Sequence, residues 1–231
     1  MKKLFTFLVL AFAPCAWSQT VVINEIHYHP ADPTEFVEFV ELHNPTDGAI
    51  DLSGWSFTEG IEHVFPEGSA IDADGYWVLA QDEGAYNRKF GSIFTGGVKA
   101  KGAWESGTLS NSGETLTLRN AENVVVDKVN YQDNFPWPVG ADGGSDDDND
   151  LSMELMHPGL DNGLSGHWRT SVEPTPGKVN SVLTENPPPA VRQVEHLPDQ
   201  PKSGETVVIS AKATDVDGVA RVMLELQGLK P

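Results

Sequence analysis

The sequence predicts an all-β protein built from short strands, arranged as a sandwich or a barrel. Residues 21–57 carry repeated runs of Val and Ile, which fit the pleated, half-buried surface of a sheet. Turn clusters separate these runs, as at residues 44–48, where Pro presets φ and Gly accepts positive φ. Helical periodicity is almost absent. These observations together favour a β fold over an α or α/β fold.

The later elements follow the same pattern. Residues 115–118 alternate Thr and Leu, which predicts a strand with one buried and one wet face. One short helix is expected at residues 82–90, with Asp82 as its N-cap. A Gly-rich loop is expected at residues 91–107 and carries Trp104. The remaining strands are predicted at residues 62–65, 75–80, 123–131, 151–156 and 167–171.

The first eighteen residues have the organisation of a signal peptide. Lys2 and Lys3 form a positive start, and residues 4–13 are an uncharged apolar run. Ala16 and Ser18 are small residues at the positions that a signal peptidase reads, which predicts a mature chain beginning at Gln19. The protein is therefore expected to be secreted or to reside at the cell surface, in a periplasmic or extracellular compartment.

Cys15 is the only cysteine of the chain. A lipoprotein anchor at this residue is an alternative, but Pro14 fits that processing poorly. The favoured interpretation is that Cys15 leaves with the signal peptide. The mature chain then has no thiol, so disulfides and thiolate metal sites are excluded although the compartment permits disulfides.

The chain is strongly acidic, with a formal net charge of -19 that becomes -21 when Lys2 and Lys3 are removed. Nucleic-acid binding depends on neutralising phosphates with Lys and Arg, so no nucleic-acid partner is expected. The apolar run at residues 4–13 is too short for a permanent spanning helix, so no membrane insertion is expected after signal removal.

A boundary is predicted near residue 180. Residues 181–190 form a Pro-rich linker, whose consecutive prolines prefer an extended polyproline II conformation. Residues 191–231 begin a new β region, with strands predicted at 205–213 and 219–227. So short a region seldom encloses a core by itself, which favours a truncated second domain. The alternative is a natural tail that pairs with the first domain or stays disordered.

Several spaced motifs resemble the lamin-tail domain family. The resemblance covers residues 20–180 and includes a Pro-Gly-type turn, a central hairpin and a closing block with Trp168 and Thr-Pro-Gly. Two departures are an acidic insertion at residues 146–150 and His27, where an apolar residue is commoner. The motifs that carry the resemblance are Ile23-Asn24-Glu25-Ile26, Glu38-Phe39-Val40-Glu41-Leu42, Asn44-Pro45, Leu52-Ser53-Gly54-Trp55, Gly75-Tyr76-Trp77-Val78-Leu79, Gly113-Glu114-Thr115-Leu116 and Thr175-Pro176-Gly177.

The resemblance implies an immunoglobulin-like sandwich over residues 19–180, followed by a partial second immunoglobulin-like domain. It also implies a binding or structural module rather than a catalyst. In secreted bacterial proteins such a module often precedes an immunoglobulin-like segment and then a spore-coat-type kinase domain. Likeness of fold does not by itself give function.

Three histidines form the first candidate metal site. His27 and His29 are two residues apart on a predicted strand, so both side chains face one side. His43 on the next strand could complete a zinc site. The favoured alternative is that all three occupy ordinary half-exposed strand positions.

Two acidic loops form the second candidate metal site. Asp146, Asp148 and Asp150 offer hard oxygen ligands of the kind that calcium prefers. Asp215 and Asp217 lie in a similar acidic turn. The first loop lacks the Gly and distal Glu of an EF-hand, and an ordinary turn explains the second equally well. Calcium is the one cofactor that these residues suggest.

Glu25 and Glu41 lie on adjacent predicted strands, and paired carboxylates can perform acid–base chemistry. No nucleophile elbow or phosphate loop accompanies them, so a structural carboxylate that accepts backbone hydrogen bonds is favoured. Trp104 and the aromatic segment 135–138 could stack on a sugar or a peptide. Sealing of a sandwich edge is the favoured interpretation of these aromatics.

We therefore expect a non-catalytic, exported interaction module of a multidomain protein, with a protein or polysaccharide as its partner. One alternative is the accessory N-terminal region of a larger enzyme, a spore-coat-type kinase or a hydrolase. Another alternative is a calcium-dependent adhesive domain.

Overall fold

The computed structural model describes residues 20–92, 96–143, 150–215 and 218–224. Within these ranges β-strands make up most of the regular secondary structure, and α-helix α1 spans Glu83–Lys89. No helix in the described ranges is long and apolar enough to cross a bilayer. The predicted all-β class is confirmed.

The larger sheet has five antiparallel strands in the order β11-β10-β1-β2-β7. Its central strands come from the β-branched opening of the chain, and its far edge comes from the predicted closing block. Sequence-distant segments are therefore neighbours in this sheet. The strands are β1 (Val22–His27), β2 (Phe39–His43), β7 (Tyr76–Ala80), β10 (Met153–Leu155) and β11 (Trp168–Thr170).

The second sheet has four strands in the order β5-β4-β8-β9, and a two-stranded ribbon, β3-β6, accompanies it. Its long hairpin β8–β9 is the one that the Thr-Leu alternation predicts. The strands are β3 (Ile50–Asp51), β4 (Ser56–Phe57), β5 (His63–Val64), β6 (Ala70–Ile71), β8 (Glu114–Arg119) and β9 (Val125–Tyr131).

One hydrophobic cluster fills the space between the two sheets. Val40 and Leu42 contribute from the larger sheet, and Leu116 and Leu118 contribute from the smaller one. Burial of each such side chain stabilises the fold by about 1.5–3 kcal/mol. Trp168 closes the cluster, and its indole N–H donates to the Asn162 carbonyl oxygen at 2.8 Å. The fold is an immunoglobulin-like β-sandwich.

The corner at residues 52–55 directs an aliphatic side chain, rather than the neighbouring indole, into the core. Gly54 adopts a φ of 73°, which a tight corner requires. Leu52 and Phe57 are the buried side chains, whereas Trp55 is only partly buried against the core. The reason is that the corner turns just before Trp55, so the aliphatic residue ahead of it faces the core.

A second, smaller cluster lies on the opposite face of the larger sheet, beneath helix α1. Tyr86 of the helix packs edge-on against Phe39, with ring centroids 5.6 Å apart. Asp82 caps the helix as predicted, because its carboxylate accepts from the Ala85 N–H at 2.6 Å. His27 stacks on Phe39 in the same cluster and is fully buried. His27 therefore serves as an aromatic ring where an apolar residue is expected.

Two buried carboxylates tie the layers together. Asp127 on β9 accepts from the Ile23 N–H of β1 at 2.6 Å and from the Asn162 amide at 2.7 Å. Glu38 accepts from the Leu109 N–H at 2.8 Å. Burial raises the pKa of Asp127 to about 6 and that of Glu38 to about 7. Both side chains satisfy backbone donors that no strand pairing would otherwise satisfy.

Residues 190–214 form a separate hairpin of β12 (Ala190–Leu197) and β13 (Val208–Thr214). Strand β13 matches the strand predicted at 205–213 within a few residues. The strand predicted at 219–227 is not seen in its described part, residues 219–224, and the rest lies outside the described residues. Strand geometry needs a hydrogen-bonded partner, and residues 219–224 pair with no described strand.

Candidate functional site

Three glutamates form a row across the face of the larger sheet that points away from the main core. Glu25 of β1 lies directly opposite Glu41 of β2 on one side and opposite Glu154 of β10 on the other. Directly opposed residues in a sheet have Cβ atoms about 4.5–5.5 Å apart. All three glutamates are completely buried. The adjacency predicted for Glu25 and Glu41 is confirmed, and Glu154 joins them.

A segment without regular structure, the strap (residues 175–182), covers this row. The Thr175 N–H donates to Glu25 at 3.0 Å, and the Gly177 N–H donates to Glu41. The Val182 N–H donates to Glu154 at 3.1 Å. The strap pairs with no described strand, so the carboxylates take the place of carbonyl acceptors for its backbone. These are the structural carboxylates that the sequence favours.

Side chains complete the hydrogen bonding of the row. The Thr175 hydroxyl donates to Glu154 at 2.7 Å, and the Ser181 hydroxyl donates to the second Glu154 oxygen at 2.7 Å. The Ser152 hydroxyl donates to Glu25 at 2.6 Å. Each glutamate of the row therefore accepts hydrogen bonds from the protein itself, and the second Glu25 oxygen lies 3.5 Å from the Thr175 hydroxyl.

The row holds protons more tightly than ordinary glutamates do. Burial raises the pKa of Glu25 well above its usual range, and the neighbouring carboxylates Glu41 and Glu154 raise it further. Burial raises the pKa of Glu41 to about 8, although hydrogen bonds from Gly177 and Asn24 act in the opposite direction. Burial also raises the pKa of Glu154. Raised pKa values suit general acids, but burial beneath the strap keeps a substrate from these groups.

The predicted zinc ligands do not converge. His27 bonds Asp150 at 3.1 Å, and His43 bonds Asp74 at 3.1 Å. His29 bonds Asp142 at 2.5 Å. Each histidine therefore faces a carboxylate of its own. Among the described residues, no group of three or more His, Cys, Asp or Glu side chains is arranged to hold a metal ion.

Of the calcium candidates, only Asp150 and Asp215 lie within the described residues. Asp146, Asp148 and Asp217 lie outside the described residues. Asp150 is anchored by His27, by the Ala31 N–H at 3.1 Å and by an ion pair with Lys89.

Asp215 directly follows strand β13. Calcium binding at either acidic loop stays a prediction. The contacts of Asp150 do reveal its present role, because they fasten the C-terminal end of the acidic loop to β1 and helix α1.

The predicted aromatic platforms seal the sandwich. Trp104 is buried, and its indole N–H donates to the Gly107 carbonyl oxygen at 2.9 Å. Trp137 packs against Trp168 with ring centroids 6.3 Å apart. Phe135, by contrast, is exposed, with 86% of its surface accessible. The edge-sealing interpretation of both tryptophans is confirmed.

An open cavity of about 260 Å³ lies beside strands β2 and β7 at the end of the strap. His43 and Tyr76 stack at its side, with ring centroids 4.5 Å apart and planes 13° apart. Asp74 and Glu185 contribute carboxylates, and His157 contributes a second imidazole. Sequence reasoning missed this group because its members come from four separate segments. For Gly75 and Tyr76 the sequence predicted a strand and no binding role.

A second open cavity, of about 470 Å³, lies between helix α1 and the loop before β2. Its charged lining has both signs, since Glu35 and Asp82 face Arg88 and Lys89. Lys89 pairs with Glu35. The charges of the described residues that line this cavity balance, so they favour no single class of ligand.

The sandwich, its strap and its buried carboxylates define an immunoglobulin-like module of the binding or structural class. The family model of the lamin tail domain matches residues 16–133, which is just over half of the chain. The protein belongs to the lamin tail domain family. Members of this family are non-catalytic interaction or structural modules. A search of the curated proteins found no match to the chain.

Proposed function

We propose that this protein is an exported interaction module within a multidomain surface or secreted protein, and that it binds a protein or polysaccharide partner. The observation that carries the proposal is the location of its polar groups, some of which bind the strap while others line an open cavity. The buried glutamates fasten the strap of the protein itself. The carboxylates of Asp74 and Glu185, by contrast, line an open cavity together with the aromatic ring of Tyr76. That distribution suits recognition of a partner rather than chemistry on a substrate.

The support for export is the N-terminal sequence, which lies outside the described residues. Lys2 and Lys3, the apolar run 4–13 and the small residues at 16 and 18 match the three regions of a signal peptide. Export delivers the module to the periplasm or the cell exterior. A mature chain without cysteine folds there independently of the redox environment.

The hairpin β12–β13 supports a multidomain parent. Val191, Leu197 and Val208 each expose more than half of their surface. An isolated two-stranded hairpin is marginally stable at best, so these side chains suit burial against further strands. We propose that residues 191–231 begin a second immunoglobulin-like domain. By analogy with the family arrangement, a spore-coat-type kinase domain is a candidate for a third part of the parent protein.

The proposal is tested by expressing the full chain in a secreting bacterium. N-terminal sequencing of the exported product should read Gln19 first, and retention of residues 1–18 would contradict export. The product is then applied to peptide and glycan libraries. Saturable binding without chemical change in the bound ligand is expected. Turnover of the ligand, or no saturable binding to either library, would overturn the non-catalytic interaction role.

A further inference from the structure

We propose that the cavity beside Tyr76 binds the side chain of an arginine presented by a protein partner. This inference rests on the proposed interaction role and names the partner chemistry. Four features of the cavity carry it: an aromatic face, an uncompensated negative charge, a fixed back wall and a small volume.

The aromatic face is the His43–Tyr76 pair. The two rings are nearly parallel, and His43 is almost completely buried while Tyr76 is half-buried. Tyr76 is therefore the more exposed ring of the stack, and the imidazole of His43 packs in parallel against it. A guanidinium group stacks on such a ring through cation–π attraction and planar contact.

The charge of the cavity is negative. Asp74 accepts from His43 through one oxygen, and its side chain remains 86% exposed, which leaves the second oxygen accessible. Glu185 also lines the cavity, and its side chain is exposed. Among the described residues that line the cavity, none is a lysine or an arginine.

His43 does not offset this charge. Burial lowers the pKa of His43, although the hydrogen bond and the charge of Asp74 act in the opposite direction, so His43 is neutral at neutral pH. The Nδ1 atom of His157 accepts from the Gly159 N–H at 3.0 Å. Asp74 and Glu185 therefore set the charge that a ligand meets.

The back wall is fixed before any ligand arrives. The Asn24 amide donates to Asn180 at 2.7 Å and to Glu41 at 2.8 Å, and the Asn180 amide donates to the Leu155 carbonyl oxygen at 2.8 Å. Both asparagines are buried and line the cavity. A preformed wall reduces the ordering that binding requires.

The size and walls of the cavity suit one long side chain. Its volume of about 260 Å³ is near the lower end of small-molecule sites. Val179 and Leu183 supply apolar contacts for the methylene stem of an arginine. Arginine is favoured over lysine because its planar fork can stack on Tyr76 and also bond Asp74. A neutral sugar would leave the carboxylates unpaired, and an anionic one would be repelled.

The test uses the full chain and two isosteric probes. N-acetyl-L-arginine amide and its neutral analogue N-acetyl-L-citrulline amide are titrated while backbone amide resonances are followed by NMR. Saturable shifts at His43, Tyr76 and Asn180 are expected for the arginine probe, with a Kd on the order of 1 mM. The citrulline probe should bind at least about tenfold more weakly, because it lacks the charge.

Variants locate the site. Asp74→Asn keeps a residue that tolerates the positive φ at this position and should weaken the arginine probe by about threefold to tenfold. Tyr76→Leu should weaken it similarly, whereas Tyr76→Phe should retain binding. Glu122→Gln, a change at an exposed glutamate outside the cavity lining, is the control and should have no effect. Unchanged amide spectra elsewhere verify the fold of each variant.

Equal binding of citrulline, equal loss in Glu122→Gln, or shifts at the same residues with cellohexaose would each overturn the arginine site. Saturable binding of the exported chain to a library ligand without arginine recognition at Tyr76 would overturn this inference alone. Absence of all saturable binding would overturn the proposed interaction role as well.

Discussion

The backbone N–H of Gly177 donates to the Glu41 carboxylate across 136 residues of sequence. This bond fastens the strap to β2, beside the central strand of the larger sheet. The bonds from Thr175 to Glu25 on β1 and from Val182 to Glu154 on β10 repeat the same arrangement. The strap also contributes Val179 and Asn180 to the lining of the cavity. Its attachment therefore determines both stability and the shape of the candidate site.

Gly177→Ala should destabilise the protein by about 2–4 kcal/mol. Gly177 has a φ of 77°, which costs a residue with a Cβ about 1 kcal/mol. A Cβ here would also lie 2.4 Å from the Cβ of Val98, and such overpacking costs about 1–3 kcal/mol. Urea denaturation measures the difference.

Gly68→Ala is the matched control for Gly177→Ala. Gly68 has a φ of 83°, but a Cβ added there meets nothing within 4 Å. Its loss should be only about 1 kcal/mol, the backbone component alone. Equal losses of stability in the two variants would show that the close approach of Val98 to Gly177 adds nothing to the cost of the Gly177→Ala substitution.

Stability should fall as the pH rises from 6.5 to 8.5. Glu25, Glu41 and Glu154 have pKa values raised in the folded state, and the pKa of Glu38 is raised to about 7. The native protein therefore binds more protons than the unfolded chain in this window. The expected loss is on the order of 1–2 kcal/mol, measured as a lower unfolding midpoint. His43 and His63 have lowered pKa values, so they reduce stability only at lower pH.

Glu41→Gln isolates the contribution of the row. At pH 6.5 Glu41 is protonated, because its pKa is about 8, but its hydroxyl oxygen can still accept a hydrogen bond. The amide nitrogen of the variant cannot accept, so one of the Gly177 and Asn24 donors loses its acceptor and the variant should be less stable. The informative quantity is the slope of the unfolding midpoint against pH, which should become shallower. A slope identical to that of the unchanged protein would assign the pH dependence to other groups.

Asp150→Ala should cost about 1–3 kcal/mol, because it leaves His27 and the Ala31 N–H without their acceptor and removes the ion pair with Lys89. Thermal denaturation at neutral pH measures the loss. Asp199→Ala, at an exposed position of the C-terminal hairpin, removes the same charge without those contacts. A loss no greater than that of Asp199→Ala would contradict the anchoring role of Asp150.

Much of the fold could be predicted from local patterns. Strand alternation located the hairpin β8–β9, and the Asp82 cap located helix α1. The alternation had one exception. Thr117, predicted to be wet, is buried and donates to Glu59 at 2.6 Å. Glu59 follows β4, so its contact with Thr117 cannot be predicted from the periodicity of β8 alone.

The candidate sites were less predictable. Glu25 and Glu41 were recognised as neighbours because their strands follow one another in sequence. Glu154 joins them through a pairing between β1 and β10, which are more than a hundred residues apart. Its position between buried Met153 and Leu155 was the available signal, since alternation places it on the opposite face.

By itself the sequence determined the β class, the positions of most strands, the helix cap and the family motifs, because alternation, capping and turn chemistry act over a few residues. The tertiary structure alone decided that the strap covers the glutamate row and that Asp74, Tyr76 and Glu185 meet in one cavity. Those relationships depend on which distant strands pair, and burial and charge acquire their effects only after that pairing is made.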